Sequence, residues 1–270
     1  MLKTRIMTAG VLLAVFLAAL FYFPQRYWNM LVILVSAIAV WEWAAISGLR
    51  GVAKWGFFAA TLLLIFILWQ LVQKQISPHP TWSTLKLIFL VSGGFWLLIV
   101  PLWLARKWQV DSALLLALTG WAVLLPLTFS LIYLRFFDPL LLLGVMATIW
   151  ISDVAAFFVG KKFGRRKLAP SLSPGKTWEG VGGALAAVSL YGIFLSGFVG
   201  ATWWVAAVAA MMIAGLGILG DLFESMMKRQ RGLKDSSQLL PGHGGLLDRI
   251  DALSSSLPLA ALAISLAGLY

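Results

Sequence analysis

Acidic side chains are scarce in this sequence, and their positions indicate where chemistry could occur. Seven of the ten Asp and Glu residues follow residue 150. The same region contains two long basic connections, 161–179 and 228–249. Carboxylate oxygens suit Mg²⁺, and Lys and Arg suit phosphate groups. The clustering of both kinds of side chain therefore predicts a site for a metal and phosphates.

The segment 220–251 carries the strongest pattern. On a helix, Asp221, Glu224, Ser225 and Lys228 are spaced i, i+3, i+4 and i+7, which predicts one polar stripe. This stripe interrupts an otherwise apolar helix near its end. The pattern is compatible with metal binding, and the alternative is a structural pair between an Asp and a Lys.

Two further aspartates, Asp248 and Asp251, are again spaced i, i+3 and follow the run Gly242-His243-Gly244-Gly245. Glycines in such a run permit positive φ and let backbone amides approach an anion closely. Aspartates from two helices form an oxygen-rich set that suits Mg²⁺. Acids in a first helical turn also favour the helix dipole, which is the alternative explanation for one of them.

The basic connection 161–179 ends in Ser173-Pro-Gly-Lys176-Thr177-Trp-Glu179-Gly180. Its hydroxyls, its lysine and its backbone amides could cradle a triphosphate, and a helix is predicted to begin near Glu179. The connection lacks the Gly-x4-Gly-Lys-Ser/Thr pattern of a Walker A loop. A preceding apolar segment contains Asp153. Attraction to anionic lipid headgroups is the alternative for the basic run 165–167.

These segments resemble the signature of the phosphatidate cytidylyltransferase family, also called CDP-diacylglycerol synthases. The resemblance covers Ser225-Met-Met-Lys228-Arg229, then Lys234-Asp235, then the stretch 241–251, and it extends to the Ser-Pro-x-Lys-Thr-x-Glu-Gly element at 173–180. It implies a nucleotidyltransferase of phospholipid biosynthesis that converts CTP and phosphatidate to CDP-diacylglycerol and pyrophosphate. Similarity to the bacterial members implies a location in the cytoplasmic (inner) membrane.

Under this interpretation Asp221, Asp248 and Asp251 hold Mg²⁺, with the number of cations left open, and Lys228 joins them in catalysis. His243 is interpreted as a binding residue, because a phosphate monoester is already an anion and needs no general base. The predicted substrate-binding residues are Asp153, Ser173, Lys176, Thr177, Ser225, Arg229, Lys234, Asp235, His243, Gly244, Gly245 and Arg249.

The elements that position these residues must lie in a lipid bilayer. Hydrophobic residues make up 61% of the 270 residues, charged residues only 11%, and the chain has a net charge of +11. The mean hydropathy is +0.93. Soluble proteins carry about 25% charged residues. The composition excludes a soluble globule, intrinsic disorder and a coiled coil, and the lack of cysteine excludes disulfides, thiolate metal sites and cysteine nucleophiles.

The sequence predicts an all-α polytopic membrane protein with about nine transmembrane helices. A spanning helix needs about 20 mostly apolar residues. With a cytoplasmic N-terminus, 17 of the 21 Lys and Arg residues fall in cytoplasmic segments, as the positive-inside rule requires. The predicted spans are 6–23, 28–46, 55–72, 87–104, 113–134, 139–160, 180–200, 203–220 and 250–270.

The spans suggest a division of roles along the chain. Residues 1–138 are predicted to be scaffold helices, and residues 139–270 a catalytic region with cytoplasmic loops 161–179 and 228–249. Glu42 is the exception inside an early span. A lone Glu near a helix end is expected to extend to the interface, or else to meet a cation in the bundle.

Two rivals to the enzyme interpretation are a CDP-alcohol phosphatidyltransferase, whose Asp-Gly and Ala-Arg motif is missing, and a cation or lipid transporter. Against a transporter, the carboxylates gather at one face, and no inverted repeat is evident. The expected partners are CTP, phosphatidate and the lipid bilayer, with no nucleic acid. The oligomeric state is left open, a homodimer included.

Overall fold

The computed structural model describes residues 2–74, 83–239 and 244–267, most of which are helical. The helices are α1 Leu2–Tyr22, α2 Gln25–Ile46, α3 Gly51–Lys74, α4 Ser83–Gly94, α5 Val100–Arg106, α6 Ala113–Phe137, α7 Pro139–Phe163, α8 Trp178–Val199, α9 Trp203–Gln230 and α10 Leu247–Ala267. A π-helical turn, Phe95–Ile99, joins α4 and α5 into one continuous helix.

The prediction of an all-α multi-pass membrane protein is confirmed. Within the described ranges, eight helices are long and apolar enough to cross a membrane. They correspond to the second to ninth predicted spans. The first predicted span lies in α1, in which the stretch Leu13–Tyr22 is apolar.

Two local features differ from the predicted boundaries. The eighth span was predicted to end at residue 220, but α9 continues to Gln230 and has 28 residues, about 42 Å at 1.5 Å per residue. The connection 161–179 contains an antiparallel hairpin, β1 Lys167–Ala169 and β2 Ser173–Thr177, in which Lys167 pairs with Thr177. Hydropathy marks where the chain leaves the apolar core, so it does not detect either feature.

The core joins the two halves of the chain. One buried cluster contains residues of α2, α6, α7 and α10, among them Val32, Leu127, Val145 and Leu257. The predicted scaffold and catalytic regions therefore share one packed interior. The division of roles between them stays a prediction.

The helices α9 and α10 cross closely at Gly220. A Cβ atom at this position would lie 2.5 Å from the Ser255 hydroxyl and 2.6 Å from the Asp251 carbonyl oxygen. The same hydroxyl donates a 2.6 Å hydrogen bond to the carbonyl of Leu216. Small residues allow such backbone contact between membrane helices. This crossing brings Asp221, the next residue along α9, beside the first turns of α10.

Interhelical contacts of two arginines show which helix ends share a face of the bundle. Arg231, after α9, donates to the carbonyls of Ser47, after α2, and Asp111, before α6. Arg135, near the end of α6, donates to the carbonyl of Leu20 in α1. These pairings agree with the predicted alternation of connections. Which of the two faces is cytoplasmic stays a prediction.

Candidate active site

A pocket with a cavity volume of about 530 Å³ lies between α7, α8, α9 and the hairpin. Its size falls within the 300–1,000 Å³ range of small-molecule sites. Five of the residues predicted to bind substrate or metal line this pocket, although they come from three elements far apart in sequence. They are Asp153 on α7, Ser173, Lys176 and Thr177 on β2, and Asp221 on α9.

An ion pair between Lys176 and Asp221 spans this pocket. The two side chains are 26% and 29% exposed, so solvent and ligands can reach them. Ser225, one turn along α9, donates a hydrogen bond of 3.3 Å to the other Asp221 oxygen. A partly exposed ion pair is screened by solvent, and fully exposed pairs contribute only about 0.2–1 kcal/mol. An anionic ligand in the pocket can therefore compete for the lysine at low cost.

The hairpin is held to the start of α8 by backbone and side-chain contacts. The Glu179 carboxylate accepts the amides of Arg165, at 3.0 Å, and Arg166, at 3.2 Å. Thr177 caps α8, since its hydroxyl oxygen accepts the Gly180 amide at 3.1 Å. Thr177 therefore lines the pocket and also fixes β2 against the start of α8. Together these contacts set the position of Lys176.

A second polar centre is buried between α9 and α10. The Lys228 ammonium lies 3.1 Å from a Glu224 oxygen and 2.5 Å from an Asp248 oxygen. All three side chains are less than one-tenth exposed. The predicted stripe on α9 is thus confirmed, and its lysine joins the two helices. Glu224 was not among the predicted site residues.

Asp248 is engaged by the protein itself. Besides Lys228, it accepts the Ser236 amide at 2.9 Å and the Gly245 amide at 2.8 Å. The Ser236 hydroxyl lies 3.1 Å away, and its one proton can go to Asp248 or to Glu42. The bond to Gly245, three residues earlier, resembles one half of a capping box. The sequence predicted that glycine amides of this run approach an anion closely. The Gly245 amide does so, and the anion is the Asp248 carboxylate. Gly244 has the expected positive φ, +82°.

The three predicted metal ligands do not converge on one point. In the part of the chain that the structure describes, no three His, Cys, Asp or Glu side chains form a group placed to hold a metal ion. At the Gly220 crossing, the backbone carbonyl of Asp251 lies against the residue that precedes Asp221. The carboxylate oxygens of both aspartates are the donors that Mg²⁺ prefers. Asp248 faces Lys228 instead. A Mg²⁺ ion bound by all three stays a prediction.

The remaining predicted binding residues belong to the connection after α9 or flank it. Arg229 donates to the carbonyl of Leu233 at 3.3 Å, and its Nε lies 3.5 Å from the carbonyl of Leu172 in the hairpin turn. It therefore links the connection to the pocket-forming hairpin. His243 lies outside the described residues. Three further predicted residues, Lys234, Asp235 and Arg249, are exposed.

Glu42 is a site residue that the sequence interpretation did not assign. Its side chain is buried, with the residue 3% exposed, so the expectation that it extends to the interface is wrong. No described cation pairs with it either. Its carboxylate accepts hydrogen bonds from Ser236, Ser237 and the amides of Leu246 and Leu247. A lone carboxylate within an apolar span was the available signal.

Comparison with known proteins places this architecture in a family. The model of the cytidylyltransferase family matches residues 3–267. The phosphatidate cytidylyltransferase of Haemophilus influenzae is 37% identical over 287 residues, with 96% of each chain covered. That of Pseudomonas aeruginosa is 37% identical, with 99% of this chain and 98% of the relative covered. That of Thermotoga maritima is 34% identical, with 93% and 92% covered. The chain therefore belongs to the cytidylyltransferase family.

Proposed function

We propose that this protein is a phosphatidate cytidylyltransferase. It transfers the cytidylyl group of CTP to phosphatidate and releases pyrophosphate. The observation that carries the proposal is the pocket in which the hairpin lysine, Lys176, faces the carboxylates Asp153 and Asp221. A cation opposite carboxylates is suited to a nucleoside triphosphate and its metal. Family membership and the names of the relatives support the choice of CTP and phosphatidate.

CTP is proposed to bind with its triphosphate against the hairpin. Lys176 leaves its partly exposed pair with Asp221 and contacts the phosphates, and the Ser173 hydroxyl donates to them. Both side chains line the pocket. The capping contact of Thr177 and the Glu179 contacts to Arg165 and Arg166 hold the hairpin in place. A rigid hairpin reduces the ordering cost of binding a flexible triphosphate.

In the reaction, a phosphate oxygen of phosphatidate attacks the α-phosphorus of CTP. The new P–O bond forms as the bond from the α-phosphorus to the bridging oxygen of the β-phosphate breaks, and pyrophosphate leaves with that electron pair. Cations are needed to hold two anionic substrates together. Arg229, Lys234 and Arg249 lie at the connection beside the site and are proposed to hold the phosphatidate headgroup.

Mg²⁺ is proposed as the cofactor, held by Asp221 and Asp251. When bound, the ion would neutralise charge on the phosphates and on leaving pyrophosphate. The close crossing at Gly220 places the Asp251 backbone against the residue that precedes Asp221. Lys228 has a different proposed role: it remains paired with Glu224 and Asp248 and keeps α9 and α10 in register.

The lipid substrate fits a site at the end of membrane helices. The pocket is lined by apolar residues of the long helices, such as Phe157 and Val181, and by the lysines Lys161 and Lys167. The headgroup can therefore meet the polar residues while the acyl chains remain in the bilayer. We place the protein in the bacterial cytoplasmic membrane with this face inside, and a homodimer is compatible with the proposal.

The experiment is a product analysis with purified protein. Phosphatidate, labelled CTP and Mg²⁺ are incubated with the enzyme, and the lipid fraction and pyrophosphate are quantified by mass spectrometry. CDP-diacylglycerol and pyrophosphate should appear in equal amounts, and chelation of Mg²⁺ should stop both. The same protein reconstituted into liposomes provides the comparison. Uptake of CTP or lipid by these liposomes, without a lipid-soluble labelled product, would instead indicate a transporter and contradict the proposal.

A further inference from the structure

The Glu42 carboxylate on α2 accepts four hydrogen bonds from the segments on either side of residues 240–243. One carboxylate oxygen accepts the Ser237 hydroxyl at 2.6 Å and the Leu246 amide at 2.9 Å. The other accepts the Ser236 hydroxyl at 2.9 Å and the Leu247 amide at 2.8 Å. A carboxylate only accepts hydrogen bonds, and here all four partners are donors. The four donors match the four lone-pair positions of the carboxylate.

The position of Glu42 in the bundle directs this carboxylate toward α10. Its side chain forms part of a groove whose other walls are mostly apolar residues of α2 and α3, such as Leu34, Ile38 and Phe58. Leu246 and Leu247 carry amides at the start of α10, where a helix has unpaired N–H groups and a positive dipole end. The buried carboxylate therefore stabilises the start of this helix.

Ser236 connects Glu42 to the buried network of the site. Its hydroxyl lies 2.9 Å from Glu42 and 3.1 Å from Asp248, and its amide donates to the same Asp248 oxygen. A Cβ atom at Gly245 would lie 2.0 Å from this hydroxyl and 2.8 Å from the Glu42 oxygens. The glycine is thus explained by the approach of a carboxylate from α2. Glu42, Ser236 and Asp248 form one connected chain that ends at Lys228.

We propose that Glu42 is a positioning residue for the reaction. It fixes Ser236 and the first turn of α10, and through that turn it sets the position of Asp251, the proposed Mg²⁺ ligand that follows the turn. The same contacts hold Asp248 toward the Lys228 ammonium. The expected effect on kcat rests on the proposed function. The effect of Glu42 on the order of residues 244–247 can be measured without substrate. It assigns a role in the site to a residue of the first third of the chain, which does not line the proposed nucleotide pocket.

The test is the variant Glu42→Gln, compared with Asp111→Asn as a control for loss of one negative charge. Gln presents an NH₂ group to donors, so it can accept from only one side of its amide. We expect hydrogen exchange at residues 244–247 to become about tenfold faster or more. We expect kcat per folded molecule to fall about 10- to 100-fold, because small misplacements at a reaction centre have effects of this size. The KM for CTP should stay within about twofold, since Lys176 lies on another element.

A second variant, Ser237→Ala, removes one donor of the four and should change exchange and kcat in the same direction but less. It keeps the test decisive if Glu42→Gln fails to fold. Unchanged exchange at 244–247 in these variants would overturn the proposal. So would a normal kcat per folded molecule, which would show that Glu42 only supports folding. If the wild-type protein makes no CDP-diacylglycerol, the proposed function fails, while the exchange data still decide whether Glu42 positions this segment.

Discussion

Replacing Lys228 by Met should strongly destabilise the protein. The side chains of Lys228, Glu224 and Asp248 are 8%, 6% and 8% exposed, so the substitution leaves two buried carboxylates without their shared cation. Removing one partner of a buried ion pair costs about 3–5 kcal/mol. Met and Lys have similar helix propensities, so α9 itself should lose little. The expected change in the folding equilibrium is roughly a hundredfold to several thousandfold, at 1.4 kcal/mol per tenfold.

The cost should fall unequally on the two carboxylates. Asp248 keeps two backbone donors, the amides of Ser236 and Gly245, besides the Ser236 hydroxyl, whose one proton it shares with Glu42. Among the described residues, Lys228 is the one hydrogen-bond donor to Glu224. Adding Glu224→Gln to Lys228→Met should therefore restore more than half of the lost stability. Adding Asp248→Asn instead should restore less, because its NH₂ group would face backbone N–H donors.

The assay is unfolding of the purified variants in one detergent, followed by denaturant titration and by thermal unfolding. Lys234→Met, on the exposed connection after α9, is the matched control and should change the free energy of unfolding by no more than about 0.5 kcal/mol. A double variant Glu224→Gln/Lys228→Met that is no more stable than Lys228→Met would refute the reasoning, because Glu224 would then not be the uncompensated charge.

Three further predictions concern the pocket, the metal and the topology. Lys176→Ala should weaken CTP use strongly while Lys74→Ala does little, and an unchanged CTP dependence of the rate in the first variant would remove the triphosphate role of the hairpin. Asp221→Asn and Asp251→Asn should each lower Mg²⁺-dependent turnover by orders of magnitude. The double variant should lose little more turnover than either single variant, as expected for residues that act on one ion. Multiplicative losses in the double variant would contradict a shared cation. Reporter fusions should place the connection between α3 and α4 opposite to the hairpin connection, and the same side for both would disprove the topology.

The sequence determined the helical membrane architecture and much of the candidate site. A run of about 20 apolar residues can satisfy its backbone hydrogen bonds in lipid only as a helix, so hydropathy located the second to ninth spans. Helix periodicity also brought Ser225 to Asp221 and Lys228 to Glu224, because residues four apart lie on one helix face. These features depend on neighbours in the chain.

Tertiary structure alone decided which distant groups meet. Glu42 contacts residues about 200 positions later, and local periodicity contains no information about such a pairing. Asp248 was grouped with Asp221 by residue type, spacing and the family resemblance, yet the packing of α9 on α10 directs it to Lys228. The reason is that helix packing sets which faces touch, here through the close crossing at Gly220, and a buried carboxylate then takes whichever donors that packing places within reach.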